Sequence, residues 1–277
     1  MKKKIKNLIP DYLYLSLKFF RKLNYIPNFK KPKTFNEKIN YLKLYDDIDI
    51  KTDFQDKLLV KSLVGSLIGE AHIIKTLKIL DINESFEEQL YDFDNYVLKT
   101  NFESGKVYFS EDNNFSYTNV QRDVRKQFTD KSYLEGREYA YQRIVKKVFI
   151  EQQLPDYINL FDYKFYCFNG VPRYVHVDRD RHSSHKRSFY DMNWKKVENL
   201  GLHYPYDSGH ISKPSKFEDM KEYASIISQY FKFARVDFYY QNHNIYLGEV
   251  TFYPGSGFEK FTDKNFDLFL GSLLNVN

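Results

Sequence analysis

Cysteine is nearly missing from these 277 residues: Cys167 stands alone. A single thiol excludes an intramolecular disulfide and a cysteine-ligated zinc site, and it fits a reducing compartment. No apolar run is long and uncharged enough to span a bilayer or serve as a signal core. The N-terminal candidate, residues 8–23, is interrupted by Asp11, Lys18, Arg21 and Lys22. Several chemical signatures are missing as well. No Gly-x-Gly-x-x-Gly follows a strand and no Gly-x-x-x-x-Gly-Lys-Ser/Thr occurs, which argues against dinucleotide-binding and P-loop folds. Without His-Glu-x-x-His or Gly-x-Ser-x-Gly, a hydrolytic zinc site and an α/β-hydrolase elbow are also unsupported.

Hydrophobic residues at 42%, charged residues at 29% and a mean hydropathy of −0.61 describe a water-soluble globular chain. Its length allows one large domain or two small ones, with a core that needs no covalent staples. Aromatics are over-represented, with 25 Tyr and 25 Phe against four Ala, a bias that an AT-rich genome explains. The net charge of +5 is too mild for a nucleic-acid binder and compatible with a phosphorylated or acidic ligand. Four lysines in residues 1–6 precede the amphipathic stretch at 8–23. Packing of that helix on the domain is expected, and its basic face leaves peripheral membrane association open in an otherwise cytoplasmic protein.

Along the chain, Thr34 followed by Glu37 reads as a capping box opening a helix. Another helix is expected from Asp56-Lys57 to about Ile68, and a short apolar segment at 73–80. From residue 96 the period changes: 96–100 reads as a strand, Ser104-Gly105 as a turn and 106–109 as the returning strand. Residues 117–146 have helical spacing, and 148–151 read as a buried strand ending in Glu151. Residues 162–168 and 173–178 flank Asn169-Gly170, a strong hairpin signal. The segment 182–215 reads as loop. A helix at about 216–230 leads into a second hairpin, 233–240 and 245–251, ending at Pro254-Gly255. This pattern predicts an α+β protein with antiparallel hairpins in two halves.

The second hairpin places Asp237 and Glu249 on neighbouring strands. Taken alone, such a pair fits a solvated face. Here, however, Val236, Phe238, Val250 and Phe252 alternate with the polar positions, so one face is core and the other a charged cleft. Two close carboxylates repel unless a cation lies between them, and Mg²⁺ takes one or two carboxylates plus water and phosphate oxygens. Arg235, two residues from Asp237 on the same strand face, can fork onto a phosphate or carboxylate.

The stretches RVDF at 235–238 and GEVTFYPGSGF at 248–258 resemble the magnesium-binding end of ATP-grasp enzymes. With TFNEK at 34–38, DK at 56–57, VLKTN at 97–101, IEQQL at 150–154 and DYKFYCFNG at 162–170, the whole is similar to the TupA-like ATP-grasp family of surface-polysaccharide clusters. The resemblance implies two α+β halves with antiparallel sheets closing on ATP, behind an N-terminal helical region. The expected division is 1–95, a first subdomain at 96–151 and a second at 152–277. It further implies ATP and Mg²⁺ as cofactors, with Asp237, Glu249 and Thr251 as metal ligands, Thr251 standing where related ligases carry Asn. Lys57 and Lys99 would approach the phosphates, and Gly105 would lie in the covering turn, where Glu103 is unexpected. Glu151, Gln152 and Leu154 would mark the adenine hinge. Lys164 and Arg235, with Arg179 or Arg181, would meet the reacting phosphoryl group. The activity implied is an ATP-dependent carboxylate–amine ligase joining an amine to an acidic sugar or polysaccharide precursor. A sugar kinase, a glycosyltransferase and a non-catalytic nucleotide-binding component are the alternatives. The histidine-rich stretch, with Lys186, Arg187 and Tyr190, is a further candidate for lining an entrance for an anionic sugar.

Overall fold

A computed structural model describes residues 8–103, 106–180 and 184–276. The chain divides into two compact units. The larger comprises Met1–Asp47, Gly136–Glu138 and Ile158–Asn277; the other, inserted in sequence, comprises Ile48–Glu135 and Tyr139–Tyr157. The first 95 residues are therefore shared between the units. The physical reason is that β1 (Thr76–Leu80) is not a helical appendage but the edge of a sheet, paired antiparallel with β4 (Val148–Gln152).

In the larger unit, α1 (Asp11–Leu23) buries Leu15, Phe19 and Leu23. Helix α2 (Phe35–Tyr45) starts at the predicted capping box: the Thr34 hydroxyl accepts from the Glu37 amide, and Glu37 accepts from the Thr34 amide. The inserted unit begins with α3 (Asp49–Gln55), which the sequence pattern did not reveal, and α4 (Leu59–Ile68). The Asp56 carboxylate accepts the amides of Leu58 and Leu59, so the predicted start signal lies one turn ahead of the helix proper. Strand β1, helix α5 (Phe86–Leu90), strands β2 (Tyr96–Thr100) and β3 (Tyr108–Phe109), helix α6 (Tyr117–Thr129) and β4 follow. The antiparallel sheet runs β1-β4-β2-β3. Leu98 and Ile150 from this sheet pack with Phe86 from α5 and Val124 from α6 in one apolar core.

The larger unit carries a six-stranded antiparallel sheet, β10-β9-β5-β6-β7-β8. Its strands are β5 (Asp162–Phe168), β6 (Val171–Arg179), β7 (Lys186–Asp191), β8 (Lys196–Val197), β9 (Phe233–Gln241) and β10 (Asn244–Thr251). Strands β7 and β8 lie in the segment expected to be loop. Arg187 and Ser188 of β7 are as buried as Phe189 and Tyr190, so no polar–apolar alternation advertises the strand. Both hairpin turns place two residues at positive φ, Asn169-Gly170 and Asn242-His243, the type I′ geometry that matches strand twist. Helix α7 (Phe217–Ser228) covers one face of the sheet, with Phe217 beside Phe165 at 5.6 Å between ring centroids. A last helix, α8 (Lys264–Leu273), packs on α2, where the Asn36 amide donates to Asp267 Oδ1 at 3.0 Å. Among the described residues, no helix is long and apolar enough to cross a membrane.

Candidate functional site

Because α7 takes the apolar face of the six-stranded sheet, the opposite face is where strand alternation places its polar side chains. Cross-strand register lines them up. Glu249, Asp237, Lys164 and His176 form one row over β10, β9, β5 and β6. Thr251, Arg235 and Tyr166 form the next row, and Tyr239, Asp162, Asp178 and Arg187 the row on the other side.

Two β-bulges make this alignment. Counting outward from the two-residue turn at Asn242-His243 would set Asp237 opposite Gly248 and turn Glu249 to the apolar face. A register shift between Leu247 and Glu249 brings Glu249 opposite Asp237 instead. Gly248 fits there because a Cβ would lie 3.2 Å from the Asp237 carbonyl oxygen. The first hairpin behaves alike: a shift beside Pro172, which has no amide to give the ladder, brings Asp178 opposite Asp162.

The carboxylates so gathered are met by cations. Arg235 forks onto Asp237, Nε to Oδ1 at 2.8 Å and a terminal nitrogen to Oδ2 at 2.7 Å, and the same nitrogen reaches the Thr251 hydroxyl at 3.3 Å. The Lys164 Nζ lies 2.6 Å from Asp162, 3.1 Å from Asp237 and 3.9 Å from Asp178. Arg187 forks onto Asp178 at 2.6 and 3.0 Å and donates to the Leu202 carbonyl. Burial opposes the charges on Lys164 and Arg235, but Asp162 and Asp237 outweigh it for the lysine and Asp237 for the arginine, so both are held above their ordinary values. Burial pushes Asp237 upward in spite of its two cations. Full burial, with Arg187 adding to it, drives His176 well below the ordinary histidine value.

The sequence therefore anticipated Asp237, Glu249, Thr251, Arg235 and Lys164 as neighbours, and they are brought together. It missed Asp162, Asp178 and His176, and it gave Arg187 a different place. The bulge at Pro172 hid the first two, since simple counting pairs Asp162 with Val177. Arg187 and Tyr190 are buried, and Arg187 is engaged by Asp178, so they do not line an open entrance. Arg179 is held by Asp207, with Nε 2.5 Å from Oδ2. Arg181 and Gly105 lie outside the described residues.

The inserted unit has its own ionic centre. Glu151, 4% exposed at the end of β4, accepts from Lys99 on the adjacent strand β2 and from Lys61 of α4, the latter at 2.6 Å. Burial would raise Glu151, but Lys99 and Lys61 outweigh it and hold it below the ordinary carboxylate value. Lys61, which sequence reasoning missed, also donates to the Ile74 carbonyl and the Thr76 hydroxyl, a set that only the strand pairing assembles. Lys57 donates from its ammonium to the Glu103 carbonyl at 2.5 Å. The Glu103 carboxylate accepts from Ser132. At the hinge stretch, the Gln152 and Gln153 amides donate to the carbonyls of Lys75 and Asn95, and Leu154 is buried.

A pair of carboxylates with a hydroxyl two residues on is a hard-oxygen set, and Mg²⁺ takes few protein ligands, so Asp237, Glu249 and Thr251 fit that ion. Among the described residues, no group of three or more His, Cys, Asp and Glu is arranged to hold a metal ion, so this set would rely on two carboxylates and a hydroxyl.

No curated protein matches the chain. Similar solved structures include a D-alanine–D-alanine ligase from Bacillus anthracis, 17% identical, with 73% of this chain and 57% of that one covered and a TM-score of 0.39. The corresponding ligase from Helicobacter pylori is 15% identical, with 80% and 61% covered and a TM-score of 0.40. An N5-carboxyaminoimidazole ribonucleotide synthetase from Thermotoga maritima is 11% identical, with 72% and 41% covered and a TM-score of 0.37. The chain thus spans between two-fifths and about three-fifths of the length of these proteins. The model of the TupA-like ATPgrasp family matches residues 37–275, and the chain belongs to that family.

Proposed function

We propose that the protein is an ATP-dependent carboxylate–amine ligase. The observation that carries this reading is the register pairing of Glu249 with Asp237, flanked by Arg235 and Lys164 on one sheet face, in a chain of an ATPgrasp family. The substrate carboxylate attacks the γ-phosphorus of ATP, the bond to the β-phosphate oxygen breaks, and ADP leaves an acyl-phosphate. An amine then attacks the acyl carbon and loses a proton, and inorganic phosphate departs, leaving an amide.

Mg²⁺ held by Asp237, Glu249 and Thr251 would neutralise phosphate charge. Arg235 and Lys164 serve the same end as fixed cations whose positions are set before substrate arrives, the condition under which electrostatic stabilisation is strongest. Lys99 and Lys57 are assigned to the ATP phosphates, with Gly105 in the turn beside them. Glu151 fixes Lys99, and the backbone at Gln152 and Leu154 is assigned to adenine. Arg179, or Arg181, is assigned to the reacting phosphoryl group, Arg179 by exchanging Asp207 for it. The family's association with surface-polysaccharide clusters suggests a hexuronic acid as the carboxylate and an amino acid or amino alcohol as the amine. A reaction consuming ATP belongs in the cytoplasm.

The test is ADP and phosphate release over a matrix of uronic acids, nucleotide-linked uronic acids and amines, with mass spectrometry of the product. An amide with equimolar ADP and free phosphate is expected. Phosphate retained on the acceptor would establish a kinase instead. Asp237→Asn and Glu249→Gln should each lower turnover by about 10²-fold or more, the scale of a lost electrostatic contact to the transition state. Undiminished turnover in the folded double variant overturns the metal assignment.

A further inference from the structure

Charge is unevenly distributed along this chain. Residues 1–33 hold ten of its 42 basic residues and one of its 37 acidic ones, so the segment is more positive than the whole protein. The single acid, Asp11, is paired with Arg137 of the same unit, Nε to Oδ1 at 3.0 Å.

Helix α1 has two apolar faces. Leu15, Phe19 and Leu23 are buried, whereas Leu13, Leu17 and Phe20 are 50%, 52% and 51% exposed. The second set recurs at i, i+4 and i+7 and so forms one stripe along the helix. Leu8 before the helix and Ile26 after it are also apolar and 84% and 81% exposed. Arg21, Lys22, Lys30, Lys31 and Lys33 are exposed in the same segment, and four more lysines precede it in sequence. A monomeric globular protein scatters its exposed apolar residues. A continuous stripe edged with basic residues is the arrangement that lies in a lipid interface.

We propose that α1 docks the protein on an anionic lipid surface, with Leu13, Leu17 and Phe20 entering the acyl boundary and Arg21, Lys22, Lys30, Lys31 and Lys33 meeting headgroup phosphates. The charge asymmetry points to an anionic occupant rather than to a second copy, which would bring the same ten basic residues to the contact. The apolar stripe points to lipid rather than to a soluble polyanion, which has no use for it. The inference is independent of the ligase reading.

Co-sedimentation of the full chain with vesicles tests it. Binding is expected to an equal mixture of phosphatidylcholine and phosphatidylglycerol, falling with salt, and little or none to phosphatidylcholine alone. The triple change Leu13→Ser, Leu17→Ser, Phe20→Ser should abolish binding with the charges intact. Each of Lys30, Lys31 and Lys33 changed to Gln should weaken it about fivefold at low ionic strength. As a control needing no loss of function, Leu13→Trp should show a blue-shifted emission on the mixed vesicles. No binding at low salt overturns the proposal. So does vesicle binding that the triple variant retains, or an emission from the Leu13→Trp variant that vesicles leave unchanged. Binding to heparin equal in wild type and triple variant, without vesicle binding, would make the segment a polyanion site and also overturn it.

Discussion

Lys43 carries a charge that its surroundings oppose. It is 6% exposed on α2, donates to the Ser256 carbonyl at 2.6 Å and hydroxyl at 2.8 Å, and lies between the rings of Tyr253 and Phe258. Burial pushes its ammonium down to about 7 from 10.5, against the pull of Glu138. A lysine lowered in the folded state favours the neutral form there, so between pH 7 and 10.5 the unfolded chain binds more protons. Burying the charged form costs stability in full below the folded value of about 7, and the cost disappears as pH rises to the unfolded value of 10.5. Stability should therefore rise by about 2 kcal/mol between roughly pH 7 and 9 through this group. Denaturant midpoints of wild type and Lys43→Met over that range check the sign, because the rise should be missing from the variant. An equal rise in both would show that Lys43 does not titrate there. The site residues differ in how readable they were. Asp237, Arg235 and Lys164 stand in strands whose apolar alternation is plain. Lys61 and His176 stand in stretches where a lysine on a helix and a histidine in a strand have no distinguishing neighbours in sequence; only tertiary pairing gives them partners.

At the scale of elements, the capping box at Thr34, the Asn-Gly hairpin and strands β2, β4, β5 and β9 were legible because each is dictated by local backbone chemistry. Strands β7 and β8, and helices α3 and α8, were not, since burial of polar residues or shortness removes their period. The bulges fall between: Gly248 and Pro172 are visible as residues that suit a bulge, but the register they set is decided by which faces must be buried. The Gly248 bulge makes a sharp contrast between two variants. Gly248→Ala puts a Cβ 3.2 Å from the Asp237 carbonyl oxygen and from the Tyr239 ring, a contact relieved by a few tenths of an ångström. It should cost about 1 kcal/mol or less, with Mg²⁺-dependent turnover retained. Deleting Val250, now 1% exposed, instead removes the residue between Glu249 and Thr251, so one of those two must turn from the polar face to the apolar one. That deletion should cost several kcal/mol, roughly a buried side chain plus a misplaced polar group, and should abolish turnover. Comparable melting and activity in the two variants would show that the register beyond the bulge does not set the site.

At the scale of the whole molecule, chain order and spatial order disagree. The larger unit is closed by contacts between distant segments: Asn36 bonds Asp267, Asn40 Nδ2 donates to the Gly257 carbonyl, and Lys38 donates to the Leu274 carbonyl, each across more than 200 residues. The inserted unit is nearly continuous in sequence, and its longest strand pairing, β1 with β4, joins residues fewer than 80 apart. Loop-closure entropy must be spent before a distant contact gives anything back, and it grows with the length closed. The inserted unit also has an apolar core drawn from residues 77–150, all within that unit, so its folding waits on nothing outside it. Refolding should therefore protect the amides of β2 and β4 before those of α2 and α8, as read by pulsed hydrogen exchange with mass spectrometry. The order follows from connectivity, not from stability, so Asn36→Ala, which removes the side-chain bonds of α2 to Asp267 and to the Glu259 carbonyl, should delay protection of α8 and leave β2 and β4 unchanged. Protection of α2 and α8 first, or of all four together, would mean that the long-range clasp forms in the nucleus and that the inserted unit depends on it.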